Sequence, residues 1–380
     1  MFTPLGVLAN IANHALTILA SPAQEPLNAA TALGRPRHYD IQGHRGGRGI
    51  AVENTLASTA WGLIEGVSTI EVDNGITKDG VVVVWHDTSI TPEKCVDTAP
   101  AFPGDPDFPY VGKFIANLTL AQIKTVDCGS KRQEAFPLQL TYPGIRISTL
   151  QELFDFVGCA DPAHHIQWNI ESKIDARHPN RTMDVDTFVS KQSAVFSASP
   201  YFSSITYESF DWRTLIAMKA YNPSMRLSAL IDDDYGYMPD NSTSPWLAGL
   251  RLDSFPGPTQ GQQVAQAAHA IGANILSPSA KSDFSPGEDP LMPDYMAFTT
   301  GDMVDEAHKF GMEVKVWTVN HFNLVEHVLA LNVDGIITDY PDALRRLLKY
   351  NNIPAAPKYP KQRVLACLNE HLARQSVTLN

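Results

Sequence analysis

From Tyr39 onward, short apolar runs alternate with stretches of helical periodicity. The runs are "YDIQGHRG", "STIEVD", "IQWNIESK", "SSITYESF", "RLSALI", "ANILSP", "EVKVWTVN" and "DGIITDY". Each is short, rich in β-branched or aromatic residues and bounded by turn formers, which reads as a strand. Between them lie segments such as "NTLASTAWGLIEG", "GDMVDEAHKFG" and "NLVEHVLALN", with the spacing of amphipathic helices. Eight strand–helix units over roughly 250–300 residues predict an α/β fold, a (β/α)8 TIM barrel. A doubly wound open sheet is the alternative, but no GxGxxG follows a strand and opens a helix.

Other segments stand outside the alternation. "VVVVWHD" follows the turn "KDG" (Lys78–Gly80) and reads as a hairpin partner of the second strand. Residues 88–147 are rich in Pro, Gly and Asp ("APAFPGDPDFPY") and hold one short helix signal, "TLAQIKTV". They read as an inserted loop or small subdomain within a barrel spanning 39–350. A helix follows at "STLQELFDFVG", with Ser148 and Glu152 near its start. Beyond the barrel, "NNIPAAPKYPK" leads to a short helix, so 351–380 is expected to be a C-terminal tail. The first 23 residues carry no Lys, Arg, Asp or Glu, are mostly apolar and end in "ILASPAQ". They resemble a signal peptide without its basic start, followed by a linker over 24–38; a frayed helix is the alternative. The expectation is a secreted, extracellular protein, with a cytoplasmic one as the alternative. No other stretch is apolar enough to be a transmembrane segment.

Net charge is -12, with 18% charged and 44% hydrophobic residues. A nucleic-acid footprint would be basic, so no nucleic-acid partner is expected. An anionic ligand then requires focused positive charge or a metal. The four cysteines, Cys95, Cys128, Cys159 and Cys367, contain no CxxC pair, which argues against structural zinc. Cys95 and Cys128 are placed either to staple the insertion or to sit buried as free thiols.

In a barrel the active site lies at the carboxyl ends of the strands. There the first strand ends in His44-Arg45, the second in Glu71-Val72-Asp73 and the hairpin in His86-Asp87. The third barrel strand ends in Glu171-Ser172-Lys173. Glu71 and Asp73 are two apart, so they face the same way. Two buried carboxylates cost several kcal/mol, on the order of the usual penalty for buried ions, unless compensated. Salt bridges to Arg45 and Lys173 are one answer. With Glu171 as a third oxygen ligand, a divalent cation, Mg2+ or Ca2+, is the favoured one. His44 and His86 supply a general acid and base near neutral pH. Arg45 can hold an anion bidentately and Lys173 adds charge on the face of Glu171. Together these describe a site for a phosphate ester. Other motifs fail on context. "DEAH" (Asp305–His308) has no accompanying GxxxxGK[ST], "RGGRG" is a single copy, and HExxH and GxSxG do not occur.

"GHRGGRGIAVENT", "IEVDNGITKDGVVVVWHD", "NIESK", "VWTVN" and "DGIITDYP" resemble the glycerophosphodiester phosphodiesterases, in order and at similar spacing, over about Tyr39 to Tyr350. The resemblance implies a (β/α)8 barrel with a subdomain inserted after the hairpin. It implies divalent-metal-dependent hydrolysis of glycerophosphodiesters, such as glycerophosphocholine, to glycerol 3-phosphate and an alcohol. By position it makes His44 and His86 the acid–base pair and Glu71, Asp73 and Glu171 the metal ligands. Arg45 and Lys173 would contact the phosphate, Trp317 the glycerol or leaving-group side, and Glu53 would lie near the first histidine. A rival on the same barrel is a lysophospholipase D or sphingomyelinase D-like activity. That would need an apolar approach, which Phe102, Phe108, Tyr110 and Phe114 would line. A non-catalytic binding barrel is the other rival, and the complete set of acid, base and ligands argues against it. The oligomeric state is open.

Overall fold

The computed structural model describes residues 38–238, 240 and 242–377. The leader expected over residues 1–23 and nearly all of the linker after it lie outside the described residues. The strands are β1 (Asp40–Gly43), β2 (Thr69–Ile76), β3 (Val82–Val84), β4 (Gln167–Ser172) and β5 (Ile205–Ser209). Then come β6 (Arg226–Ile231), β7 (Ile275–Pro278), β8 (Glu313–Val316) and β9 (Gly335–Thr338). Their order is β1-β9-β8-β7-β6-β5-β4-β2-β3, and a β1–β2 pairing closes the ring. Every pairing around the ring is parallel. β3 alone is antiparallel, outside the ring on β2. The eight expected barrel strands and the hairpin partner are all present.

The helices are α1 (Leu56–Glu65), α2 (Leu120–Ile123), α3 (Leu150–Ala160), α4 (Val185–Ala198), α5 (Trp212–Tyr221) and α6 (Asp233–Gly236). They continue with α7 (Gln260–Ala270), α8 (Gly301–Lys309), α9 (Phe322–Ala330), α10 (Pro341–Tyr350) and α11 (Lys361–Val377). Local chemistry sets their ends. Thr55 accepts from the Ser58 amide to start α1, and Gly66 at φ 86 stops it. α3 starts at Thr149 rather than Ser148: Thr149 and Glu152 form a reciprocal capping box. Ser148 is buried and accepts from Gln375 of α11 instead.

Strand side chains alternate between two environments. Ile70, Val72, Trp168, Ile170 and Tyr207 join the apolar layer under the helices. The alternate positions point inward and are mostly polar, with Leu230, Ile275 and Ile337 as aliphatic exceptions. Asn169 on β4 donates to Gln42 on β1 at 3.0 Å, spanning β2 between them. Ser228 donates to Glu208 at 2.8 Å, and Lys315 donates to Asp40 at 2.6 Å. TIM-barrel interiors are usually filled with branched aliphatic side chains. This one is filled largely by hydrogen-bonded polar groups, which burial tolerates when they are paired.

The insertion is a small folded unit. Ile90, Tyr110, Leu118 and Val126 form a separate buried cluster around a Cys95–Cys128 disulfide. Antiparallel bonds between Val96 and Asp127 brace the same crosslink. The helix expected after the Pro-rich link is present and packs on the barrel. Residues 361–377 are helical, and Val364, Cys367 and Leu368 of α11 are buried. A second disulfide, Cys159–Cys367, ties α11 to α3. It closes a sequence separation of 208 residues, for which the chain-entropy account assigns up to about 5 kcal/mol. The Cys159→Ser/Cys367→Ser double variant is therefore expected to unfold at markedly lower denaturant concentration. An unchanged midpoint would show that packing alone secures α11.

Candidate active site at the carboxyl ends of the strands

The chain leaves β1 through a tight turn at His44–Gly46, where Arg45 takes the left-handed conformation (φ 51, ψ 39). That conformation costs a non-glycine residue about 1–2 kcal/mol. Gly46 follows at φ 82, and a Cβ there would lie 2.6 Å from the Ser58 hydroxyl and 2.7 Å from the Thr59 nitrogen. The turn thus lies flat on the start of α1. Its consequence is that the Arg45 amide donates to Glu71 Oε2 at 2.6 Å, and the Arg45 carbonyl accepts from Asn54 and Ser58.

The turn also sets His44 at the mouth. Its Nδ1 is 2.7 Å from Asp339 Oδ1, just beyond β9, and its Nε2 is 3.9 Å from Glu71. Asp339 is fully buried and held by Arg48 Nε at 2.6 Å and Asn320 Nδ2 at 2.7 Å. A carboxylate on Nδ1 fixes a tautomer in which Nδ1–H donates and Nε2 is left free. His86 repeats the arrangement across the site, with Nδ1 2.9 Å from Asp87 Oδ1. Burial is the largest influence on both rings and pushes both below the usual imidazole range. Arg45 and Lys173 reinforce it at His86; at His44 Arg48 and Arg45 reinforce it while Asp339 opposes it.

Below the two histidines, Glu71, Asp73 and Glu171 are buried, and each offers an oxygen within 4.8 Å of the others. Parallel register puts Asp73 beside Glu171. The available cations compensate them unevenly. Asp73 receives Asn54 Nδ2 at 2.7 Å and lies 3.5 Å from Arg45 Nε and 3.9 Å from Lys173. Glu171 pairs with Lys173 at 2.8 Å. Among the described residues Glu71 accepts only the Arg45 amide, and its one ion-pair contact is His44. The titration behaviour follows. Burial, then Asp73 and Glu208, push Glu71 well up. Burial overrides Lys173 at Glu171 and pushes it to about 8. At Asp73 burial is outweighed by His86, Arg45 and Lys173, which hold it below the usual carboxylate range. Three convergent oxygen donors with too little positive charge around them fit a divalent cation.

Arg45 spends Nη1 on Glu53 at 3.0 Å, while its Nε is buried with no hydrogen-bond partner. Glu53 also collects Lys94 at 2.7 Å and Gln133 at 2.9 Å, both from the insertion. Lys173 lies 5.6 Å from the centre of the Phe210 ring. Phe210 stacks on Tyr235 at 4.1 Å and meets Trp317 edge-on at 5.3 Å. Trp317 is fixed by its own Nε1 donating to the Ser277 carbonyl at 2.8 Å. All eight expected site residues therefore lie in this one region, at the ends of β1, β2, β4 and β8 and just after β3. Sequence reasoning assigned no role to Asp339, Asn320, Arg48, Asn54, Asp87 or Lys94. Asp339 and Asn320 lie inside "DGIITDYP" and "VWTVN", so the motifs carried them unread. Of the insertion aromatics, Tyr110 is fully buried with Phe108 edge-on at 5.4 Å, so Tyr110 packs the insertion rather than lining an approach. A cavity of about 360 Å³ between α3 and α11 touches none of the site residues. No described helix is long and apolar enough to cross a membrane.

Comparison with known proteins agrees with the barrel fold. A glycerophosphodiester phosphodiesterase from Caldanaerobacter subterraneus is 25% identical over 306 residues, covering 80% of this chain and 96% of its own. One from Bacillus subtilis is 24% identical over 328 residues, covering 85% and 92%. Among solved structures, a Silicibacter pomeroyi protein provisionally named a glycerophosphoryl diester phosphodiesterase superposes with TM-score 0.66 at 26% identity, covering 85% and 97%. An Oleispira antarctica phosphodiesterase, solved with the product sn-glycerol-3-phosphate, shares the fold with TM-score 0.57 at 18% identity, covering 82% and 96%. The family model described as "Glycerophosphoryl diester phosphodiesterase family" matches residues 44–343, and the chain belongs to that enzyme family.

Proposed function

We propose that this protein hydrolyses glycerophosphodiesters to glycerol 3-phosphate and an alcohol, with Mg2+ or Ca2+ held by Glu71, Asp73 and Glu171. The observation that carries the reading is the pair of imidazoles, each fixed by a carboxylate on Nδ1, beside a three-carboxylate cluster. When bound, the cation supplies Lewis acidity to the phosphoryl oxygens. The chain supplies the rest. One imidazole takes the proton of the attacking hydroxyl, and the other, protonated, gives its proton to the departing alkoxide. Asp339 or Asp87 steadies the ring that carries positive charge. Attack by the substrate's own 2-hydroxyl gives a cyclic phosphate that water then opens, a route favoured by proximity. The Nε–H of buried Arg45, 3.5 Å from Asp73 Oδ2 and without a hydrogen bond among the described residues, is a donor that a phosphate oxygen would satisfy, and Lys173 adds charge beside it. Phe210, Tyr235 and Trp317 wall the side open to the glycerol or the alcohol.

Pairing of all four cysteines supports an oxidising compartment and hence the secreted reading. A panel of glycerophosphodiesters together with lysophosphatidylcholine, assayed for the released alcohol after chelation and then with each metal, tests the function. Turnover of glycerophosphocholine above that of lysophosphatidylcholine is the expected result. Turnover of lysophosphatidylcholine alone would move the substrate to lysophospholipids, and none on either would leave a binding barrel.

A further inference from the structure

The two histidine–aspartate pairs are built to different depths. Asp339 is fully shielded and takes hydrogen bonds from Arg48 and Asn320, so its carboxylate has one orientation. Asp87 has a quarter of its side chain exposed and follows the shortest strand of the sheet, at the edge of the insertion. A carboxylate so placed swings unless something holds its second oxygen. Lys94 does so, donating to Asp87 Oδ2 at 2.5 Å, with the Thr91 hydroxyl farther off at 3.5 Å, while Oδ1 faces the imidazole. The same ammonium donates to Glu53 Oε1 at 2.7 Å, the oxygen that also receives Arg45 Nη1. One cation thus bridges the carboxylates that orient His86 and Arg45. Without it, those carboxylates would face each other with one fewer counter-charge.

The position of Lys94 is set by the insertion. Its amide and that of Cys95 both donate to the Thr91 carbonyl, closing a turn. The next residue, Cys95, is buried and joined to Cys128, whose amide is bonded to Ile145. The ammonium lies 5.5 Å from the centre of the Trp85 ring. We propose that Lys94, fixed by the adjacent Cys95–Cys128 disulfide, is a positioning residue for His86, making the insertion part of the catalytic apparatus rather than only a cover. The kinetic side of this rests on the proposed hydrolysis; the positioning itself does not.

The test uses Lys94→Met and Lys94→Gln, which remove the charge, and Lys94→Arg, which keeps it. Each, with the wild type as control, is made in the Cys159→Ser/Cys367→Ser background, so that thiol reduction opens Cys95–Cys128 alone, and is measured oxidised and after reduction. Two readouts are taken: steady-state kinetics on the glycerophosphodiester that the wild type turns over best, and the imidazole 15N–1H spectrum. Loss of a group that orients a reacting side chain costs roughly 10–100-fold. Lys94→Met and Lys94→Gln are expected to lower kcat by about that factor with KM within about twofold. Lys94→Arg should recover most of the loss. The His86 ring signals should shift in the uncharged variants while those of His44 stay in place. Reduction should move the same His86 signals in the wild type and add little in Lys94→Met, the non-additivity of two changes acting through one contact. Unchanged His86 signals and kcat in both uncharged variants overturn the proposal. Equal effects of reduction in wild type and Lys94→Met overturn the disulfide's part in it. If no glycerophosphodiester is turned over but His86 still responds to Lys94, the positioning stands and the hydrolytic reading falls.

Discussion

His44→Ala is expected to lower turnover by about 10²–10⁴-fold, the usual cost of losing a general acid or base. The barrel should survive the change. His44 is not in the apolar core; it stands on the exit turn of β1, and the Arg45 amide that grips Glu71 belongs to the backbone. Asp339 keeps Arg48 and Asn320, so no buried charge is stranded. Far-UV circular dichroism and bound-metal stoichiometry should therefore match the parent while kcat falls. Asp339→Asn is the companion test. An amide can turn either its carbonyl or its NH2 toward His44 Nδ1, so the tautomer is no longer enforced and activity should fall with His44 still present. Near-parental turnover in His44→Ala would remove this imidazole from the chemistry and leave the proton transfers to His86 and water.

What could be read before the structure follows from what a strand or helix is locally. Eight apolar runs of strand length, each followed by a helical period, leave few alternatives to a barrel, and strand-end position then selects His44, Glu71, Asp73 and Glu171. What could not be read depends on register and on distant partners. Inward-facing Gln42, Asn169, Glu208 and Ser228 look like ordinary polar breaks in strands until the ring closes and pairs them across the interior. Asp73 lies beside Glu171 only because β2 and β4 align there. Lys94 sits in a stretch with no periodicity, and its role exists only through Asp87 and Glu53. Four cysteines admit three pairings. Cys95–Cys128 was suggested by its closeness around the insertion, whereas Cys159–Cys367 needed α11 packed on α3. The same packing sets the expected C-terminal helix against the barrel's outer layer.

With divalent cations chelated, stability should fall as pH rises from about 5 to 8, and Glu171→Gln should abolish much of that fall. The sign follows from linkage. Burial raises Glu171 from 4.5 to about 8, and Glu71 is raised as well. Between the unfolded and folded values, the folded protein holds protons that the unfolded chain has released. Stability then decreases with pH by about 1.4 kcal/mol per unit for each such proton. Asp73, held below its usual range, acts only at lower pH. Asp232, raised by burial to about 7, adds a slope of the same sign, while the lowered His44 and His86 add one of opposite sign. All three are common to parent and variant, so the difference between the two melting curves isolates the cluster. A divalent cation binds the ionised carboxylates, so it should raise the parent's melting temperature most at pH 8 and release protons in doing so. Glu171→Gln has lost a ligand and should gain little from the cation. If the chelated parent were as stable at pH 8 as at pH 5, and the variant no different, Arg45 and Lys173 would already be neutralising the acids. The cluster would then be an ion-pair network, and the hydrolysis would have to draw its phosphate charge stabilisation from those two cations alone.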